Sequence, residues 1–456
     1  MRLYRYRPIQ SALAELDDGS FYFANRRELN DPIEGYVKIF FQGDKPAWQG
    51  LLKNFVCSLF YALQTKLLTT RHFGGVGENF LHDLRSRVAP INLQHFDRSP
   101  LSKIFSELSE KFLREDEVQR LAEFYGDAQI KCCGKEPEFV FRAVTDDACR
   151  LCVQKCKSLG LIVDDFNENF FDVAYELSFD ELKNFSDEER RRYVDEVENL
   201  NCDAMEAGLM SLKLNPRNLR DSSRELKQYL LRLKLFFPRL YVEQLKEMMY
   251  PDGYVVCFSR TPADSAMWGN YADNHRGVCF VYETENFDGH EWINFAAQSM
   301  PIEPIKYDER TIERNFFDAL KHLHFLRAED WLTGADGVKS FKLDKQSAED
   351  EYYDVYREKF YRKLPAWRHE QEYRIFLPDE FYRYEEKLAR KLKYDSHALK
   401  GMVFGLLTSL DDKIELIQRL VRLRKSVRDF EFFQAEFDDE TQQISVREKF
   451  LPINFK

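Results

Sequence analysis

A chain of 456 residues with a formal net charge of −11 is long for one simple core and too acidic to grip nucleic acid through its overall field, which leaves room only for a local basic groove. Hydrophobic residues make up 44% and aromatics 15%, which excludes a disordered chain and asks for a thick core or ring-lined pockets. The start lacks the apolar run of a secretory signal, no segment has the roughly 18 consecutive apolar residues of a membrane span, and nine cysteines fit reduced thiols better than a disulfide framework, so the expected location is the cytoplasm.

The chain opens as strand, short helix, strand. Leu3-Tyr4-Arg5-Tyr6 alternates, Ile9 to Leu16 carries a helical pattern, and Gly19-Ser20 turns into Phe21-Tyr22-Phe23-Ala24. Asn30-Asp31-Pro32 then breaks the chain. From about residue 46 to 250 the pattern becomes long polar-apolar helices, with Ser186-Asp187-Glu188-Glu189 and Ser222-Ser223-Arg224-Glu225 as capping boxes. Leu226, Tyr229, Leu230 and Leu233 recur there at helical spacing. Strand patterns return at 254–259, 277–282, 302–307, 372–377 and 402–405, with helices expected near 309–326 and 346–363. A helix over Ile414–Arg424 leads to strand-like runs at 428–436 and 442–447, a closing β-α-β-β arrangement. The expected fold class is α+β: a mixed-sheet core from residues 1–45 and 250–456, interrupted by an all-helical insertion over 46–249.

The most informative stretch is Trp367-Arg368-His369-Glu370-Gln371-Glu372-Tyr373-Arg374. As a continuous strand it sets Glu370, Glu372 and Arg374 on one face. Packed carboxylates beside a guanidinium are costly to hide and useful to expose, against the simpler case of an exposed sheet face on which Arg374 pairs with a Glu. After the strand ending in Cys257-Phe258-Ser259, a short helix places Trp268 and Tyr271 three apart on one face. Two such rings either plug the core or sandwich a nicotinamide or a base, with Ser259, Asn274, His275 and Arg276 supplying hydrogen bonds. Asn30, Asp31 and Glu34 belong either to a structural turn or to a pocket rim shared with Arg374. Arg5 and Arg7, two apart on the first strand, face the same side and suit phosphate.

Cys149, Cys152 and Cys156, with Cys132 and Cys133 upstream, invite a zinc site, against which their spacing along one continuous helix sets a buried thiol face. His322 and His324 fall on different helical faces, and Gly74-Gly75-Val76-Gly77 lacks the Lys-Ser/Thr of a phosphate-binding loop. Arg422-Leu423-Arg424-Lys425 suits a helix C-terminus. No metal is expected from these groups.

Taken together, Leu3-Tyr4-Arg5-Tyr6-Arg7, Asn30-Asp31-Pro32-Ile33-Glu34, Cys257-Phe258-Ser259, Met267-Trp268-Gly269-Asn270-Tyr271, His275-Arg276-Gly277-Val278 and Glu370-Gln371-Glu372-Tyr373-Arg374 resemble the family catalogued as domain of unknown function 2971, over roughly residues 1–45 and 250–456. That pattern in turn resembles the ADP-ribosyltransferase fold. The resemblance implies NAD as substrate, with Arg5 or Arg7 on its phosphates or ribose, Ser259 ending the middle strand, and Tyr271 or Trp268 stacked on nicotinamide. It implies Glu372 as the catalytic carboxylate and Glu370 as its substrate-side partner, Glu-Gln-Glu being similar to the Glu-x-Glu element of many such transferases. The chain departs from the pattern in lacking a Ser-Thr-Ser run after Ser259 and in setting Arg374 beside Glu372.

What the resemblance implies is an NAD-consuming ADP-ribosyltransferase or NAD glycohydrolase, a toxin or phage-defence effector modifying a protein or nucleic-acid acceptor. The helical insertion would recognise the target, an antitoxin protein or another copy of the chain. The alternative is a non-catalytic nucleotide- or peptide-binding sensor or adaptor using the same pocket. The two part on geometry: chemistry wants Glu372 in an open cleft within reach of Ser259 and Tyr271, whereas a scaffold buries it against Arg374 or a Lys.

Overall fold

Alternating and apolar runs at both ends of the chain supply the strands that position the site. The computed structural model describes residues 1–31, 33–73, 88–162, 182–214, 222–250, 253–323, 326–343, 349–379, 383–424, 427 and 429–449. Pro32, Gly74–Gly77, His324 and Lys425 lie outside the described residues. The early strands are β1 (Arg2–Arg7), β2 (Ser20–Tyr22), β3 (Ala24–Asn25) and β4 (Val37–Phe40). After the helical block come β5 (Gly253–Ser259), β6 (Val278–Glu283), β7 (Glu285–Phe287), β8 (His290–Asn294), β9 (Ser299–Pro304), β10 (Lys306–Tyr307) and β11 (Ile312–Asn315). The last are β12 (Arg362–Lys363), β13 (Glu372–Pro378), β14 (Lys391–Lys393), β15 (Leu399–Phe404), β16 (Glu431–Asp438) and β17 (Gln443–Glu448).

Two compact units result, one made of Met1–Val37, Pro251–Ile312 and Tyr353–Lys456, the other of Lys38–Tyr250 and Glu313–Tyr352. The first is a mixed α+β unit whose main sheet runs β17-β16-β15-β6-β1-β5-β13-β9-β8-β7, with β3 also on β5. Its parallel pair, β15 with β16, is joined through the helix Leu410–Arg424, as a parallel crossover requires. Alternation along β6 shows how the sheet divides its faces. Val278, Phe280 and Tyr282 enter a large core with Leu3, Phe258, Ile375, Met402 and Leu416, while Cys279 and Val281 enter a smaller one with Tyr6, Trp268 and Val403.

The second unit contains the helices Lys45–Phe73, Pro100–Phe112, Asp116–Tyr125, Glu136–Ala143, Thr145–Ser158, Asp187–Leu214 and Ser222–Met248. Ser186 caps as its sequence asks: its N–H donates to Glu189 Oε2 at 2.8 Å, and the Glu189 N–H donates to Ser186 Oγ at 3.3 Å. Tyr229, Leu230 and Leu233 are buried along Ser222–Met248. Cys149, Cys152 and Cys156 are buried along Thr145–Ser158, where burial raises their thiol pKa values, that of Cys156 to about 12. Among the described residues no group of three or more His, Cys, Asp or Glu is arranged to hold a metal ion, and no helix is long and apolar enough to cross a membrane.

Two predicted helices are shorter than expected. Over 309–326 the chain forms β11, one helical turn Phe316–Ala319 and a 3-10 turn Leu320–His322, because the Asn315 side chain caps at Phe317 and delays the start. Over 346–363 the helix ends at Glu358 and the chain enters β12, which pairs in parallel with β10. Residues Glu313–Tyr352, expected in the sheet core, group with the helical unit.

Candidate functional site

Within the first unit the site begins at a break in the sheet. β1 pairs with β6 from Arg2↔Glu283 to Arg7↔Val278, but with β5 only at Tyr4↔Ser259. β5 pairs with β13 along its whole length, from Glu372↔Ser259 to Pro378↔Gly253. β1 therefore follows β6 and leaves β5. The opening between them is a cavity of about 230 Å³, lined by Arg5, Arg7, Tyr22, Asn30, Ser259 and Tyr271 and by a cluster of charged side chains from β12 and β13.

Where the ladder stops, side chains bridge it. Arg5 Nη1 donates to the Cys257 carbonyl at 3.0 Å, and its guanidinium lies 5.4 Å from the Phe21 ring and 5.6 Å from the Phe258 ring. Glu15, on the helix Ile9–Asp18, accepts from Arg5 Nε (3.2 Å), Arg7 Nε (3.0 Å) and the Tyr282 hydroxyl (2.7 Å). Arg5 is thus buried and committed to structure. Arg7 is a quarter exposed, and no described residue accepts from its Nη atoms. Burial pushes the Glu15 carboxyl up, but Arg5 and Arg7 outweigh it and hold it below the ordinary carboxylate value. The unfolded chain then binds more protons than the folded one. Stability from Glu15 is full above the ordinary value and is lost as pH falls through it toward the depressed one, so thermal unfolding followed downward from about pH 7 shows a falling midpoint below about pH 4.5. Glu15→Gln flattens that limb.

The opposite wall differs from the expected strand. Pro365–Glu370 is a 3-10 turn, Gln371 sits in the left-handed region (φ 44°), and β13 begins only at Glu372. Glu370 and Glu372 are nevertheless brought together, by Lys363. Its Nζ donates to Glu370 Oε2 at 2.5 Å and Glu372 Oε2 at 3.2 Å, and lies 3.5 Å from Glu34 Oε2. Arg374 donates to Glu372 through Nε (2.7 Å) and Nη2 (2.9 Å), to the Phe360 carbonyl through Nη1 (2.8 Å), and contacts Glu34 Oε1. All five side chains are nine-tenths buried or more. Burial opposes ionisation of Glu372, but Arg374 and Lys363 hold it below the usual carboxylate range; burial, reinforced by neighbouring Glu372, raises Glu34 despite Arg374.

Half-buried Tyr271 donates to Glu370 Oε1 at 2.6 Å, and Ser259 Oγ donates to the Glu370 backbone carbonyl at 2.8 Å. Ser259 therefore positions the Glu370 turn. Burial, then the Glu370 charge, raises the Tyr271 phenol above its ordinary pKa.

Arg5, Arg7, Asn30, Glu34, Ser259, Tyr271, Glu370, Glu372 and Arg374 line the cavity; Trp268, His275 and Asp31 do not. Trp268 is fully buried, edge-on to Tyr6 at 5.0 Å, with Nε1 donating to the Pro262 carbonyl at 2.8 Å. A spacing of three leaves two side chains about 60° apart around a helix, which is enough to send Trp268 into the core and Tyr271 to the cavity. His275 (φ 66°) closes a left-handed turn through its N–H to the Trp268 carbonyl at 3.2 Å. Asp31 accepts from Trp367 Nε1 and the Ile33 N–H, both at 3.0 Å, so its role is to fix the turn.

Lys363 and Glu15 were not singled out from the sequence. Pro365 was the available signal for Lys363, since a helix ends ahead of a proline. For Glu15 it was a lone carboxylate among Ala12, Leu13 and Leu16, which the structure buries.

The family described as "Protein of unknown function (DUF2971)" matches over residues 267–375, a span that contains Tyr271, Lys363, Glu370, Glu372 and Arg374 and leaves Arg5, Arg7, Glu34 and Ser259 outside it. No curated protein and no solved structure matches the chain. Residues 267–375 are therefore similar to that family, and Lys363, Glu370, Glu372 and Arg374, half of the charged residues that line the cavity, lie in the similar stretch.

Proposed function

We propose that the first unit's cavity is a nucleotide site at which the protein consumes NAD, as an ADP-ribosyltransferase-like transferase or an NAD glycohydrolase. The observation that carries this is the meeting at one cavity of Arg7 from β1, Ser259 from β5, Tyr271, and Glu370 and Glu372 from the β13 end. The Nη atoms of Arg7, from which no described residue accepts, suit a diphosphate, which a guanidinium can hold in bidentate fashion. Cleavage of the nicotinamide–ribose bond builds positive charge on the ribose, and a fixed carboxylate beside it stabilises that state.

Between the two carboxylates, bonding favours Glu370 for the reacting position. Glu370 accepts once at each oxygen, from Tyr271 and Lys363, whereas Arg374 engages both oxygens of Glu372 and Lys363 adds a third bond. This exchanges the roles that the resemblance implied. A protein or nucleic-acid acceptor, action as a toxin or phage-defence effector, membership of the matched family and a target-recognising role for the helical unit belong to the same proposal.

A second reading has its own support. Burial of Glu372 between Arg374 and Lys363 is the arrangement of a scaffold, which suits a non-catalytic nucleotide sensor or adaptor. Incubation with NAD separates them. The enzyme reading expects nicotinamide release that falls about 10²–10³-fold in Glu370→Gln with NAD still bound. Binding without release by the wild-type chain, across candidate acceptors, selects the adaptor, and absence of both overturns the nucleotide site.

A further inference from the structure

We infer that a single-stranded nucleic acid lies across the rim of the cavity, its phosphates held by Arg26, Arg260 and Arg368. The inference rests on the proposed function and deepens it by naming the class of the acceptor. Arg26 is half-buried, and Arg260 and Arg368 are exposed. Each donates to a backbone carbonyl, and none pairs with a carboxylate among the described residues: Arg26 Nη1 reaches Gly35 at 3.3 Å, Arg260 Nη1 reaches Arg2 at 2.6 Å, and Arg368 Nη2 reaches Tyr307 at 3.3 Å. Elsewhere on the surface carboxylates take arginines, Glu110 holding Arg114 and Glu436 holding Arg447. The carboxylates close to the three in the chain are engaged, Glu28 by Lys387 and Arg390, Asp264 by the Met267 N–H, and Glu370 by Lys363 and Tyr271. In a chain of net charge −11, three guanidiniums with donors to spare make a local face for anions.

Their placement selects an extended polyanion. Arg26 follows Asn25, which pairs with Tyr254 near one end of β5, whereas Arg260 follows Ser259 at the other. From Tyr254 to Arg260 the backbone covers about 20 Å at roughly 3.3 Å per residue, and the cavity opens along β5 between them. Arg368 joins Arg260, because the turn that carries it ends at Gln371, whose carbonyl accepts from the Arg260 N–H at 3.1 Å. A free phosphate is too short to meet both ends, and a strand with a phosphate at every nucleotide is not. Half-buried Tyr4, opposite Ser259 in the ladder, lines the cavity and offers a ring on which a base can stack. In the transfer, a nucleophilic atom of the strand bonds to the ribose carbon that held nicotinamide, nicotinamide leaves with the electron pair of the broken bond, and the nucleophile's proton passes to Glu370.

The test titrates a fluorescent single strand of about ten nucleotides, within the usual range of single-strand site sizes, into the full chain over a salt series. Anisotropy is expected to show binding whose log K falls against log salt with a slope of about −2, from three phosphate contacts at about 0.7 each. Folded Arg26→Gln, Arg260→Gln and Arg368→Gln chains each lose about 0.7 of that slope, and Arg114→Gln, in the helical unit, keeps it. Absence of binding, a slope that the rim variants leave unchanged, or an equal loss in Arg114→Gln overturns the inference. So does displacement of the strand by an equal concentration of an acidic peptide of the same charge, which would give the face to a protein acceptor. Nicotinamide release is scored separately. Strand binding without NAD binding or turnover rejects the NAD reading and leaves the rim standing, whereas turnover without strand binding does the reverse.

Discussion

Arg374→Ala lowers the stability of the chain by about 3–5 kcal/mol, the cost of leaving a buried charge without its partner. Arg374 is 1% exposed, holds Glu372 at two points, contacts Glu34 and donates to the Phe360 carbonyl. Removing it leaves three carboxylates with Lys363 as their one cation in the cluster and strips the Phe360 carbonyl of its donor. Urea unfolding at a constant slope measures the loss as a shift in midpoint. The deficit shrinks in acid, because a protonated Glu372 no longer needs a cation. A loss below about 1 kcal/mol, the scale of an exposed pair, would mean that solvent reaches the cluster.

Trp268→Ala has a comparable effect through a different mechanism. Truncating a buried aromatic costs about 3–5 kcal/mol in lost transfer energy and cavity formation. Here the loss adds the edge contact with Tyr6 and the donor to the Pro262 carbonyl. Because the ring does not line the cavity, folded Trp268→Ala protein keeps its ligand affinity. Wild-type stability combined with lost nucleotide binding would restore to Trp268 the stacking role that the resemblance implied.

The strands around the site were legible because β1 alternates and β5 is a short run of β-branched and aromatic residues. Leu3-Tyr4-Arg5-Tyr6 became β1 and the run ending in Ser259 became β5 with little change in bounds. The closing β15, helix, β16 and β17 were equally readable, since a parallel pair needs its crossover. Reading Glu370 as part of the strand failed for a local reason. Gln371 adopts a left-handed conformation, which few non-glycine residues do and which periodicity does not register. The same residue turns Glu370 back toward Lys363 and Tyr271, so the carboxylates converge by a route other than alternation.

Lys363 illustrates the other limit. Its importance comes from contacts with Glu34, Glu370 and Glu372, of which the first is more than 300 positions away in the chain. No spacing rule links such residues. The opening between β1 and β5 was likewise beyond sequence, because it depends on β1 pairing with both neighbours at unequal lengths. Residue types could nominate Arg5 and Arg7 together; only their surroundings distinguish Arg5, buried on Glu15 and two rings, from the more open Arg7.

The opening between β1 and β5 is the proposed nucleotide site. A crystal of the full chain grown or soaked with NAD tests it most directly. The expected density has the diphosphate against the Arg7 Nη atoms and the nicotinamide end beside Tyr271 and Glu370. An empty cavity at saturating NAD, or NAD bound elsewhere on the chain, would contradict it.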